Sequence, residues 1–181
     1  MERIKFPNRK YQIIYADPPW LYRDRALAGR RGGGGCKYPG QKKEWLENLN
    51  VNSIADTNCT LFLWSTMPIL NEAFDLIKAW GFKYRTVAFV WIKKTKRSGV
   101  WFWGMGSWTR ANAELVLLAT KGRPKRINAS VHSVVVTVPE KHSKKPNEIG
   151  KRIIQLMGNL SRIELFARQR VKGWDAWGDE V

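Results

Sequence analysis

The sequence predicts an α/β domain with a mostly parallel sheet and helices on both faces. Two observations point there. Short apolar runs with little polar alternation, "YQIIYA" at 11–16 and "TLFLWS" at 60–65, read as strands covered on both faces. Further along, segments with apolar residues at helical spacing alternate with such runs, and that alternation favours parallel strands joined by crossovers.

Residues 11–16 form the first predicted strand, and Asp17-Pro18-Pro19 ends it. Neither proline can donate a ladder hydrogen bond, and the proline after Asp17 holds that residue extended. Residues 21–43 are a long basic loop interrupted by "GRRGGGG" at 29–35; a loop of that length in a compact domain is usually functional or mobile. "KKEWLENL" at 42–49 predicts a short helix and 60–65 the second strand. Pro68 opens a helix with Ile69, Leu70, Ala73, Phe74, Ile77 and Trp80 at helical spacing, and Gly81 stops it. Strands follow at 84–93, 114–120 and 133–138, with an irregular region at 94–110. Pro146 begins a last helix that turns Ile149, Ile153, Leu156 and Met157 inward and stops at Gly158. "SRIELFAR" at 161–168 predicts a final strand, with 171–181 as a tail. There is no internal repeat and no boundary, so 1–181 reads as a single domain long enough to bury a real core.

Thirty-two Lys and Arg against 15 Asp and Glu give a net charge of +17. Such a field attracts polyanions, with nucleic acid the leading candidate. Cys36 and Cys59 have no ligand-like spacing and no histidine cluster beside them, which predicts no metal site or disulfide framework and suits a reducing cytoplasm. The start "MERIKFPNRK" lacks a signal-peptide core, and no run approaches the roughly 18 apolar residues of a membrane span. The expectation is a soluble cytoplasmic protein.

In open α/β sheets ligands bind beyond the carboxyl ends of strands, where Asp17, Pro18, Pro19 and Trp20 fall. These residue types suit methylation of an exocyclic amine on a nucleobase. That amine is a poor nucleophile because its lone pair is delocalised into the ring. A carboxylate accepting one N–H and a backbone carbonyl accepting the other favour the pyramidal form. Pro18 is a good carrier for that carbonyl, since the double proline fixes its direction, and Trp20 has a face on which a base can stack.

"ADPPW" after an apolar strand resembles the signature of the adenine-N6 methyltransferases related to the catalytic subunit of the eukaryotic messenger-RNA adenosine methyltransferase, which has short bacterial and phage relatives. "LFLWST" at 61–66, "HSKKPNEI" at 142–149 and "IELFARQR" at 163–170 match in the same order, so the resemblance covers nearly the whole chain. It implies a permuted Rossmann-like class I methyltransferase that uses S-adenosylmethionine, with the catalytic motif first and much of the cofactor pocket last. The order also fits the lack of a GxGxxG after the first strand: the glycines at 32–35 follow no strand, which argues against a dinucleotide enzyme.

The resemblance implies roles position by position. Asp17 would accept from the target amine and lie near the cofactor's amino group. Lys145 would meet the cofactor carboxylate, Glu164, Leu165 and Phe166 would border the pocket, and Arg168 would reach the ribose hydroxyls with Arg170 nearby. At the tail, "WDAWGDEV" places Asp179 and Glu180 where the family has Asn and Gln. A carboxylate there can accept from adenine or ribose but cannot donate.

Two basic loops follow predicted strands. Arg23, Arg25, Arg30, Arg31 and Lys42 lie in the first; Lys93, Lys94, Lys96 and Arg97 precede Trp103 and Trp108 in the second. Interleaved cations and aromatics suit phosphate contact and base stacking. The reading is thus adenine-N6 methylation of nucleic acid, with DNA expected over RNA by analogy with short relatives. A cytosine-N4 enzyme is the enzymatic alternative, although such enzymes tend to carry Ser in place of Asp17. A weak or inactive nucleic-acid-binding partner subunit is the alternative from another class, and a homodimer or partner subunit is an open expectation.

Overall fold

The computed structural model describes residues 5–21, 40–97, 99–104, 108–140 and 144–181. Its strands are β1 (Tyr11–Ala16), β2 (Ala55–Ser65), β3 (Lys83–Lys93), β4 (Glu114–Lys121), β5 (Val134–Thr137), β6 (Arg162–Leu165) and β7 (Asp175–Trp177). The helices are α1 (Lys43–Glu47), α2 (Leu70–Ala79) and α3 (Asn147–Met157). The strands form one seven-stranded sheet in the order β5-β3-β4-β2-β1-β6-β7. Among the described strands β4 alone is antiparallel, running against both β2 and β3; the remaining neighbours pair in parallel.

Alternation along the strands sends side chains to two separate cores. Ile14 and Ala16 of β1 with Leu61 and Leu63 of β2 pack under Ala73, Leu76 and Ile77 of α2. Ile13, Tyr15, Phe62 and Trp64 face the other way, against Ile149, Ile153 and Met157 of α3. Strands apolar on both faces are thus covered on both faces, as their uninterrupted apolar runs predict.

Three details differ from the sequence reading. β2 starts at Ala55, which pairs with Tyr11 before the register shifts to bring Thr60 opposite Ile13. Pro68 sits in a single tight turn, Met67–Ile69, before α2. The tail contains a strand: Asp175, Ala176 and Trp177 pair in parallel with Ile163, Glu164 and Leu165. Three residues are too few to show a period, so β7 exists by virtue of the edge that β6 offers. No helix of the described residues is long and apolar enough to cross a membrane.

β1 lies between β2 and β6, and the chain reaches these neighbours by helices on opposite faces. Such a switch point opens a crevice at the carboxyl ends of the strands. Asp17 is the first residue beyond that end of β1.

Candidate active site

The turn at 17–20 is held from three sides. Trp20 N–H donates to the Pro18 carbonyl at 2.8 Å, and Gln41 N–H donates to the Pro19 carbonyl at 2.7 Å. The Trp20 indole N–H reaches the Trp64 carbonyl on β2 at 3.2 Å. Trp20 is 8% exposed and belongs to the α2-side core, so in this structure its ring anchors the turn from below. The Pro18 carbonyl retains a second lone pair beyond its bond to Trp20.

Asp17 ends a chain of four alternating charges. Lys145 Nζ lies 3.2 Å from Asp17 Oδ1 and 3.0 Å from Glu114 Oε2, and Glu114 Oε1 accepts from Lys93 Nζ at 2.5 Å. Asp17, Lys145 and Glu114 side chains are 22%, 19% and 15% exposed, so the charges are largely out of water and satisfy one another. Lys145 also stands 5.1 Å above the Trp64 ring and Lys93 4.8 Å above Trp91, and the two indoles meet edge to face at 6.0 Å. Trp64 is fixed in turn by its N–H bond to the Tyr15 hydroxyl at 2.6 Å.

The ionisation of the site follows from this packing. Burial raises the Asp17 pKa above its ordinary value; Lys145 opposes that and the Glu114 charge adds to it. Burial also disfavours the Glu114 carboxylate, but Lys145 and Lys93 outweigh it and hold this group below the usual carboxylate range. Burial works against the Lys145 ammonium, yet Asp17 and Glu114 more than compensate and keep it protonated.

Glu164, on β6 opposite Tyr15 of β1, is pushed by burial, and secondarily by the Asp17 charge, from 4.5 to about 7. The sign is that of an acid protonated in the fold. Between these values the folded chain binds its proton more tightly than the unfolded one, so stability falls as pH rises from about 4.5 to about 7. Calorimetry should find wild type losing up to about 3.5 kcal/mol relative to Glu164→Gln as pH rises through that range, the shift of 7 minus 4.5 converted at about 1.4 kcal/mol per unit. Parallel curves for the two proteins would remove Glu164 as the cause.

The other expected pocket residues gather at the ends of β6 and β7. Leu165 is fully buried. Phe166 takes a left-handed backbone, φ 61°, which costs a non-glycine residue about 1 kcal/mol. It turns the chain so that Ala167 N–H meets the Trp177 carbonyl at 3.0 Å. Phe166 and Phe6 both contact the Trp177 ring, at 5.4 and 4.7 Å. Arg168 Nε lies 3.8 Å from Glu180 Oε1, and the Arg168 charge acts on Asp17. Asp179 and Arg170 are exposed.

The expected nucleic-acid residues separate. Arg23, Arg25, Arg30 and Arg31 lie outside the described residues, as do Cys36 and His142. Lys42 is exposed before α1. Lys93, grouped by sequence with the loop cations, points inward to Glu114. Lys94 stands 5.3 Å over the Trp101 ring, Lys96 bonds the Glu140 carbonyl, and Arg97 is exposed. Trp103 and Trp108 are 61% and 99% exposed; large rings so placed contribute nothing to the core.

Glu114 is the site residue that sequence reasoning missed. Its signal was a lone acid at the head of the otherwise apolar "ELVLLAT". Among the described residues no group of three His, Cys, Asp or Glu could hold a metal ion.

The profile of the MT-A70 family matches residues 11–180. The Type II methyltransferase M.MunI of Mycoplasma sp is 35% identical over 194 residues, spanning 98% of this chain and 80% of that protein. The N6-methyladenosine RNA methyltransferase MTA1 of Cryphonectria parasitica is 30% identical, covering 94% of this chain and 52% of its own length. The N(6)-adenosine-methyltransferase catalytic subunit METTL3 of Homo sapiens is 27% identical, covering 88% and 26%. The chain therefore spans most of the Mycoplasma protein, about half of the fungal one and about a quarter of the human one.

Proposed function

The chain belongs to the MT-A70 family of N6-adenosine methyltransferases, and we propose that it methylates the exocyclic N6 amine of adenine in DNA, using S-adenosylmethionine. The observation that supports this most is the Asp17 carboxylate at the carboxyl end of β1, between β2 and β6, with Lys145 3.2 Å away.

The residues fit the cofactor by chemistry. Asp17 is an acceptor for an ammonium and Lys145 a partner for a carboxylate, so the two ends of an amino-acid zwitterion each find an opposite charge. Arg168 and Glu180 present a donor and an acceptor suited to vicinal hydroxyls. Phe6, Phe166 and Trp177 supply aromatic surface beside them. When bound, S-adenosylmethionine supplies the electrophilic methyl group.

Asp17 accepts one N–H of the target amine and the Pro18 carbonyl accepts the other through its free lone pair. These bonds draw the nitrogen towards the pyramidal form and aim its lone pair. The raised Asp17 pKa makes it a better acceptor of the amine's proton, lost during or after transfer, than an ordinary carboxylate. Positioning and exclusion of water supply most of the rate.

DNA is favoured because the Mycoplasma relative, a Type II methyltransferase by name, shares most of its length with this chain. In a duplex the target adenine must leave the stack, at a cost of a few kcal/mol. Lys93, the last residue of β3, bonds Glu114, and the segment after it carries Lys94, Lys96 and Arg97 with the exposed Trp103 and Trp108. Replacing Trp103 and Trp108 by Ala should weaken polynucleotide binding by about 1–3 kcal/mol per stacked base. Unchanged binding would remove stacking from the account.

The test of the reading is transfer of labelled methyl from S-adenosylmethionine to duplex DNA, single-stranded DNA and RNA of matched sequence. Transfer to DNA in preference to RNA is expected. Transfer to RNA alone would overturn the polymer assignment, and transfer to none of them would overturn the activity.

A further inference from the structure

We propose a second nucleic-acid contact surface at the opposite end of the sheet from Asp17, built on the basic turn that follows β4 and engaging phosphate backbone. The stretch "KGRPKR" at 121–126 places Lys121, Arg123, Lys125 and Arg126 within six residues. Runs of this kind suit polyanions, although by themselves they are commonly solvated surface. The fold adds two observations that the run alone does not contain.

The first is convergence. Register brings Lys83 of β3 opposite Thr120, and Arg85 Nε donates to the Thr120 hydroxyl at 2.7 Å. Six cations from β3, β4 and the turn therefore share one end of the sheet. Asp56 is the acid that β2 contributes there, and its Oδ1 is taken by the Thr57 N–H. Among the described residues no carboxylate pairs with Arg123, Lys125 or Arg126, and all three are exposed.

The second is order. Gly122 has φ 65°, and a Cβ there would stand 2.2 Å from the Thr57 carbonyl oxygen, so the turn is pressed onto β2 in a way only glycine permits. Arg123 N–H donates to Asn58 Oδ1 at 2.7 Å, and Ile127 N–H to the Leu156 carbonyl at 2.8 Å. The turn is tied at both ends, so its cations meet a ligand without ordering a loose loop first.

This surface is separate from the active-site mouth. Glu114 and Lys121 are the two ends of β4, about 24 Å apart at about 3.4 Å per residue. The same phosphates that flank a flipped adenine cannot also reach Lys121. A longer polymer following the flank of the molecule spans both ends, and the surface then holds substrate without touching the target base. The inference rests on DNA as the polymer.

The test is the triple variant Arg123→Gln, Lys125→Gln and Arg126→Gln in the full chain. On a duplex of about 30 base pairs, the slope of log K against log salt should fall by up to about 2.7, three contacts at about 0.9 each. Methyl transfer to that duplex should show a raised KM and unchanged kcat, while a duplex of about 10 base pairs, reaching about 17 Å either side of the target, should show neither change. An unchanged slope would overturn the proposal. A normal slope with lost binding to phosphatidylserine vesicles would overturn it in favour of a membrane surface. If the triple variant fails to fold, Lys125→Gln and Arg126→Gln singly should each remove about 0.9 from the slope. Binding needs no catalysis, so the slope decides this question even if wild type transfers no methyl group.

Discussion

Asp17→Asn is expected to lower methyl transfer by about a thousandfold without unfolding the protein, within the range that a positioned proton acceptor supplies. Asparagine keeps the shape and one acceptor oxygen but loses the charge that, in the mechanism proposed above, draws the amine out of conjugation and accepts its proton. The stability side has a definite sign. The folded Asp17 pKa lies above its ordinary value, so ionising it near neutral pH works against the fold, and the neutral amide relieves that. The thermal midpoint should stay level or rise while activity disappears. Activity measured with calorimetry on one preparation checks this; a large fall in the midpoint would mean that the charge is structural.

Lys145→Met should have the largest effect on stability. It leaves the Asp17 and Glu114 carboxylates on either side of an apolar side chain, where Lys145 now sits 3.2 and 3.0 Å from them. Removing one partner of a mostly buried ionic cluster costs about 3 kcal/mol or more, or roughly 6–12 °C in a domain of this size. Cofactor affinity should fall about a hundredfold, because the cofactor carboxylate loses its charged partner. The double variant Lys145→Met with Asp17→Asn separates the two effects: it should regain much of the midpoint but none of the activity. Recovery of activity in the double variant would show that the two residues do not act on the reacting groups as described.

Much of this was legible in the chain because the relevant signals are local. The run at 11–16 with two prolines after it fixes a strand, its end and the placement of Asp17. Helix α3 shows its buried face through Ile149, Ile153 and Met157. What was not legible depends on neighbours distant in sequence. Nothing in "ELVLLAT" reveals that β4 runs antiparallel, since composition does not encode direction, or that Glu114 would meet a lysine from the start of α3. Lys93 reads as one of a group of loop cations, but it is the last residue of β3, and the register with β4 turns its ammonium to Glu114. Trp20 reads as a stacking platform, whereas the width of the sheet brings its indole to the Trp64 carbonyl. β7 borrows its hydrogen bonds from β6 and has no pattern of its own.

The charge chain from Asp17 to Lys93 also explains why the cations of this protein do not act alike. Lys145 and Lys93 are neutralised inside the site, whereas Arg97, Arg123, Lys125 and Arg126 are exposed. Lys145 acts on the ionisation of Asp17 and, with Lys93, on that of Glu114, and the outer cations are the ones proposed to meet a polyanion.

The most direct measurement is nucleoside analysis of duplex DNA digested after incubation with the protein and S-adenosylmethionine, run in parallel with Asp17→Asn. N6-methyladenine is expected with wild type and none above background with the variant. N4-methylcytosine in its place, or N6-methyladenine formed equally by the variant, would contradict that expectation.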